Sequence, residues 1–304
     1  MYHEIYKKIV EKSMEPDALE RSIVYLEEHL GAFLRKKERV LICFQNHQEG
    51  DLSWLMKQAV LRCGAVPVVW GPQRTWKNLM RQAFSNKVTA IIGTPLVLLG
   101  LTKLIKHNAT PLFIRKVISS GYPCPEWMVE GIVKGFDCEM GGCFGFERSG
   151  IVAGFACGHS SGVHLRIGEY GMDIVDAQGR SLPAGELGEM VLYPKSAPEL
   201  RYPMGENACI APEECPCHST SPRLLQMGYG RATDPDLEKL GEYLQSWTSV
   251  LDCRLEKGES GLEIELVVFQ GEKLPKLPSA AKLVIRPWNP DKDEPFPYYN
   301  LVKK

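Results

Sequence analysis

Residues 39–70 read RVLICFQNHQEGDLSWLMKQAVLRCGAVPVVW, and this stretch decides the fold. Arg39-Val40-Leu41-Ile42-Cys43-Phe44 is a short apolar run with polar flanks, and Ala65-Val66-Pro67-Val68-Val69-Trp70 is a second. Between them, residues 51–63 read as an amphipathic helix. A continuous apolar run marks a strand covered on both faces, the kind found in parallel sheets flanked by helices. The alternation extends outward. Upstream, residues 5–36 read as two helices broken near Pro16-Asp17. The second runs from about Ala18 to Arg35 and places Ile23, Leu26, Leu30 and Phe33 at spacings of three and four. Downstream come a helix around 75–85, a strand at Thr89-Ala90-Ile91-Ile92-Gly93 and a helix at 95–107. A strand at Phe113-Ile114-Arg115-Lys116-Val117-Ile118, a helix at 125–134 and a strand at Phe136-Asp137-Cys138-Glu139-Met140 follow. This predicts an α/β layer with a mostly parallel sheet flanked by helices.

The pattern changes after about residue 150. Val163-His164-Leu165-Arg166-Ile167, Met172-Asp173-Ile174-Val175-Asp176 and Glu189-Met190-Val191-Leu192-Tyr193 read as short strands separated by turns such as Ala177-Gln178-Gly179-Arg180 and Pro183-Ala184-Gly185. A Pro- and Cys-rich loop is expected over 203–222, and the chain leaves the main body near Gly230-Arg231-Ala232-Thr233-Asp234-Pro235. The tail carries a helix at 236–246, strands at 249–256 and 262–269, and an apolar run at Lys282–Arg286. The expected domains are an α/β subdomain over 1–145, a β-rich subdomain over 146–232 and a small C-terminal α+β domain over 235–304.

Hydrophobic residues make up 44% of the chain and charged residues 24%, so a packed core is feasible and disorder is not indicated. A net charge of −1 gives no field that would favour nucleic acid or an anionic membrane. No apolar run approaches the roughly 20 residues needed to span a bilayer. The N-terminal segment MYHEIYKKIVEKSMEPD carries acids and no secretory apolar stretch, which makes a cytoplasmic location the expectation.

Three groups of residues carry chemistry. Ser119-Ser120-Gly121-Tyr122-Pro123 follows a strand and precedes a helix. Ligands of doubly wound sheets sit at such strand ends, and a Gly lets a planar base approach the backbone. An ordinary strand–helix turn reads the same way. Met140-Gly141-Gly142-Cys143-Phe144-Gly145-Phe146-Glu147-Arg148-Ser149-Gly150 embeds one acid among glycines after a strand. Such a carboxylate can hold Mg²⁺ against phosphate oxygens, or it can be a solvated partner of Arg148. Cys157 and His164 flank a turn, and Cys215 and Cys217 are separated only by Pro216. Soft ligands in close pairs favour metal over disulfides in a reducing compartment. Cys209, His159 and His218 are further candidates, and a reduced thiol cluster is the plain alternative.

In order and spacing, roughly residues 35–235 resemble the phenylacetate–CoA ligase branch of the adenylate-forming (AMP-binding) superfamily. The resemblance runs through Ile92-Gly93-Thr94-Pro95-Leu96, Gly121-Tyr122-Pro123, Phe144-Gly145-Phe146-Glu147, Gly162-Val163-His164-Leu165 and Asp173-Ile174-Val175-Asp176. It continues through Gly185-Glu186-Leu187-Gly188-Glu189-Met190-Val191, Arg201-Tyr202-Pro203-Met204-Gly205-Glu206, Cys215-Pro216-Cys217 and Gly230-Arg231-x-x-Asp234.

The resemblance implies a ligase that activates a small-molecule carboxylate with ATP as an acyl-AMP and then passes the acyl group to CoA. Gly121, Tyr122, Pro123, Phe144 and Gly145 would pack on adenine, Glu147 would serve Mg²⁺ and phosphate, Glu206 would accept the ribose hydroxyls, and Arg231 would mark the hinge. It also brings Cys157, His164, Cys215 and Cys217 together as a structural Zn²⁺ site. The departures bear on activity. The family's phosphate loop would precede the first helices, and no SGTTG-like or G-x-x-x-x-G-K-[ST] string occurs in the 304 residues. The ribose-binding Asp is Glu206, one residue is missing between Phe144-Gly145 and Glu147, and the tail has no Gly-Lys catalytic segment. Two functions are therefore open: a ligase of reduced or altered activity, or a non-catalytic subunit that binds nucleotide or acyl-adenylate. Homo-oligomers and partner chains are compatible with both.

Overall fold

The computed structural model describes residues 2–44, 47–71, 74–121, 124, 126–145, 151–159, 162–166, 170–226, 235–258 and 261–296. Helices α1 (Tyr2–Ser13) and α2 (Pro16–Phe33) lead into β1 (Arg39–Cys43). Then come α3 (Leu52–Arg62), β2 (Val66–Val69), α4 (Trp76–Ser85), β3 (Ala90–Gly93), α5 (Pro95–His107), β4 (Lys116–Ser120), α6 (Glu126–Phe136) and β5 (Glu139–Gly145). Strands β2-β1-β3-β4-β5 lie side by side and all pair in parallel. Alternate residues of the apolar runs go to opposite faces. Val40 and Ile42 pack with Leu26, Leu30 and Met56 of α2 and α3, while Leu41 and Cys43 pack with Leu79, Leu98 and Met128 of α4, α5 and α6. Double coverage is why β1 reads as unbroken apolar sequence.

At β5 the pairing turns antiparallel. Strands β6 (Val152–Phe155), β7 (Val163–Leu165), β8 (Tyr170–Val175), β9 (Gly188–Pro194), β10 (Tyr202–Ile210) and β11 (Arg223–Gln226) extend the same sheet in the order β5-β6-β7-β11-β10-β9-β8. Helix α7 (Pro235–Ser246) then covers a separate three-stranded sheet of β12 (Val250–Gly258), β13 (Gly261–Val268) and β14 (Lys282–Pro287). The expected fold class is observed: a helix-flanked, mostly parallel layer, a β-rich continuation and a small α+β unit.

Several boundaries differ from expectation for local reasons. Phe113 is 74% exposed and lies before β4, which runs from Lys116 to Ser120. Phe136 ends α6 rather than starting a strand, because Asp137 adopts a left-handed conformation (φ 54°) that stops the helix. The stretch expected as one loop over 203–222 begins as a strand: β10 pairs with both β9 and β11, and the register shift between Pro203 and Asn207 absorbs a proline that has no N–H to give. Strands β6 and β11 were not anticipated.

The C-terminal sheet is joined to the main body through a shared core. Leu251, Val267 and Phe269 pack in the same cluster as Trp76, Leu98 and Leu101. Within this contact Lys103 of α5 is buried and donates to the carbonyls of Gln245 (2.6 Å) and Val250 (2.7 Å) and to Gln245 Oε1 (3.3 Å). Among the described residues no helix is long and apolar enough to cross a membrane.

Candidate functional site

Parallel pairing brings the carboxyl ends of β1, β3, β4 and β5 to one edge of the sheet, with Cys43 beside Gly93, Gly93 beside Ser119 and Ser120 beside Cys143. Ligands of open α/β sheets bind at this edge. Gly121 leaves β4 with φ +92°, a conformation that L side chains rarely adopt. A Cβ there would lie 3.7 Å from Thr94 Cγ2 and 3.9 Å from Phe44 Cε1, so Gly121 faces the ends of β3 and β1. Gly145 ends β5, where a Cβ would meet the Ile151 carbonyl at 3.0 Å and Leu52 Cδ1 at 3.2 Å. Phe144 is buried in the core beneath the antiparallel strands. The Ser119 and Ser120 side chains are buried at the end of β4, and neither hydroxyl has a nitrogen or oxygen partner among the described residues.

His47 belongs to this edge and was missed in the sequence. It lies between β1 and α3, its Nδ1 contacts Ser53 Oγ, and burial holds its pKa below the ordinary histidine value. Asp51, just ahead of α3, accepts from the Gln48 N–H at 2.9 Å and so shapes the turn that carries His47. The available signal was a lone His three residues past an apolar strand, which is weak without the sheet.

Of the residues expected to handle nucleotide, Gly121, Phe144 and Gly145 are described. Tyr122, Pro123, Glu147 and Arg231 lie outside the described residues, as does the Glu206 side chain. The backbone of Glu206 is in β10, and β6, β7 and β11 stand between that strand and β5.

The four expected metal ligands come together. Cys157 follows β6, His164 is in β7, and Cys215 and Cys217 are on the connection from β10 to β11; their ligand atoms all lie within 4.8 Å of one another. Cys209, His159 and His218 are not part of this cluster. The Cys217 N–H, ahead of contacts with His164, Cys217 and Cys157, pulls the Cys215 thiol down to about 6.

No protein-family profile matches the sequence, and no curated protein matches it. Solved structures do match. Alignment with 2-hydroxyisobutyryl-CoA ligase in the postadenylation state, bound to 2-HIB-AMP, gives a TM-score of 0.68 at 16% identity and covers 93% of this chain and 69% of that one. Benzoate-CoA ligase from Burkholderia xenovorans LB400 gives 0.60 at 14% identity, covering 92% and 63%. Anthranilate-CoA ligase AuaEII, in complex with anthranoyl-AMP, gives 0.58 at 14% identity, covering 86% and 59%. The chain thus has the fold of adenylate-forming CoA ligases. At these identities the likeness is one of fold.

Proposed function

We propose that the edge formed by β1, β3, β4 and β5 binds the AMP portion of an acyl- or aryl-adenylate, in a ligase of the phenylacetate–CoA type. The observation that carries this reading is the left-handed Gly121, facing Phe44 and Thr94 beside the end of β5, in a fold shared with ligases crystallised with acyl-AMP. In the first step a substrate carboxylate oxygen attacks the α-phosphorus of ATP and pyrophosphate leaves. In the second, the CoA sulfur attacks the acyl carbon and AMP leaves. This chain's part is to hold the adenosine. Gly121-Tyr122-Pro123 and Gly145 border the base, with Phe144 buried beneath, and Glu206 on β10 is the residue that by its place in the resemblance would accept from the ribose hydroxyls. Glu147 is the residue that would hold Mg²⁺, which supplies neutralisation of phosphate charge when bound.

Glu206 stands where the resemblance expects the ribose-binding Asp. This favours a second reading, a nucleotide- or acyl-adenylate-binding subunit without turnover. Calorimetry and a pyrophosphate-release assay separate the two. AMP binds under both readings, and ATP binds no more than about tenfold tighter, or about 1.4 kcal/mol. Pyrophosphate release that depends on an added aryl or acyl acid establishes the ligase; AMP binding without release establishes the subunit. No AMP binding at millimolar concentration sinks both.

A further inference from the structure

We propose that Cys157, His164, Cys215 and Cys217 bind one Zn²⁺ as a closed four-ligand site that serves as the core of the 211–222 connection. The distances fit. Zinc bonds of about 2.3 Å to sulfur and about 2.1 Å to nitrogen, set tetrahedrally, place two sulfurs roughly 3.8 Å apart and a sulfur and a nitrogen roughly 3.6 Å apart. Cys157 Sγ and Cys215 Sγ are 3.4 Å apart, and Cys217 Sγ and His164 Nε2 are 3.2 Å apart. A relaxation of a few tenths of an ångström admits the ion, whereas a disulfide needs sulfurs at about 2.05 Å.

The imidazole is oriented for coordination. His164 Nδ1 lies 3.0 Å from the Ser221 carbonyl oxygen. A carbonyl only accepts, so Nδ1 carries the proton and Nε2 presents its lone pair to the cluster. Metal-bound histidines are commonly held by this kind of outer hydrogen bond. The orienting carbonyl belongs to the connection that the ion would fasten.

That connection has almost nothing else to fold around. Cys215 is the one buried residue in 211–222, and the charged Glu213 and Glu214 precede it. A tight turn, with the His218 N–H donating to the Cys215 carbonyl at 2.9 Å, sets both thiols of the pair facing inward. The opposite ligands are already placed by the sheet: His164 pairs with Phe155 of β6 and with Arg223 of β11, and Cys157 lies two residues beyond Phe155. Three thiolates and an imidazole select zinc over magnesium or calcium. Four protein ligands leave no position for water or substrate, so the ion is structural, and its binding does not depend on the nucleotide reading.

Elemental analysis of the full chain purified without added metal should find about one zinc per chain. Replacing the metal with Co²⁺ under reducing conditions should give the intense visible absorption of a tetrahedral thiolate site. Cys217→Ser and His164→Gln, which remove direct ligands, should each lower metal affinity by more than about tenfold, the smallest loss seen when only an outer partner of a ligand is removed. Cys209→Ser should leave it unchanged. The proposal is overturned if wild-type protein neither contains zinc nor takes up Co²⁺ when reduced. It is also overturned if Cys217→Ser binds as wild type does, or if the protein purified under reducing conditions carries a Cys157–Cys215 disulfide. The wild-type Co²⁺ titration keeps the test decisive where a variant fails to fold.

Discussion

Two residues show how conformation and burial become measurable. Gly121 holds φ +92° at the crevice, where an alanine would add backbone strain even though the space around a new Cβ is ordinary contact distance. Gly121→Ala should therefore cost about 1–2 kcal/mol in stability and weaken AMP binding, read by urea melts and calorimetry. A loss of stability with unchanged AMP affinity would remove Gly121 from the site. Asp252 is the second. Burial pushes its carboxyl up to about 7, against N–H donors from Phe296 and Cys253 and the charge of Lys103. The unfolded chain releases that proton near pH 4. Between these values the folded chain holds a proton that the unfolded chain does not. Its contribution to stability is thus present in full below about pH 4 and lost as pH rises towards about 7. Asp252→Asn, which mimics the neutral acid, should flatten this slope. Wild-type stability should fall relative to the variant from pH 4 to 7, in paired denaturant titrations, and parallel curves would refute the assignment.

Among the elements, α5 carries the buried lysine that links the two sheets, beside α4, whose Trp76 packs in the same cluster. Lys103→Met would leave the Gln245 and Val250 carbonyls without their buried donor, at a cost of about 1–3 kcal/mol for each unsatisfied group. Amide exchange should quicken first in β12 and α7, while β1 and β3 keep their protection. Uniform loss across the chain would show that the two sheets open as one unit. Legibility in the sequence followed the same physics. The runs at β1 and β3 were readable because strands covered on both faces leave continuous apolar sequence; β2, at the sheet edge and only half-buried, was readable as a run rich in β-branched residues. β10 was hidden because Pro203, Gly205, Glu206 and Asn207 carry no alternation across its bulge. Phe113 misled because an exposed aromatic in a loop looks like a strand start. In the site, glycines after strands were visible locally. Cys157 and Cys215 are 58 positions apart; Cys157 with His164 and Cys215 with Cys217 each stood out as a close pair, and only the family resemblance joined the two pairs. The β6-β7-β11 pairing that joins them is a long-range property with no local signature.

At the scale of the whole molecule the small C-terminal sheet is part of the main core. Leu251, Val267 and Phe269 are all nearly inaccessible and lie in one cluster with Trp76, Leu98 and Leu101 from α4 and α5. Each such side chain contributes about 1.5–3 kcal/mol by its burial, and removing them would also uncover the helical surface they press on. Lys103 would lose every acceptor it now has from Gln245 and Val250. A chain ending at residue 226 should therefore not behave as an independent domain. Its melting temperature should fall by more than about 10 °C, given that 1 kcal/mol moves a domain of this size by about 2–4 °C. The dye ANS should bind to the exposed face of α4 and α5. Restoring 235–304 as a separate polypeptide should recover part of the loss if the contact itself, rather than the covalent link, supplies the stability. A truncated chain that melts like the whole, with no added ANS binding, would mean that the two sheets are independent and that their shared core contributes nothing to the stability of the larger one.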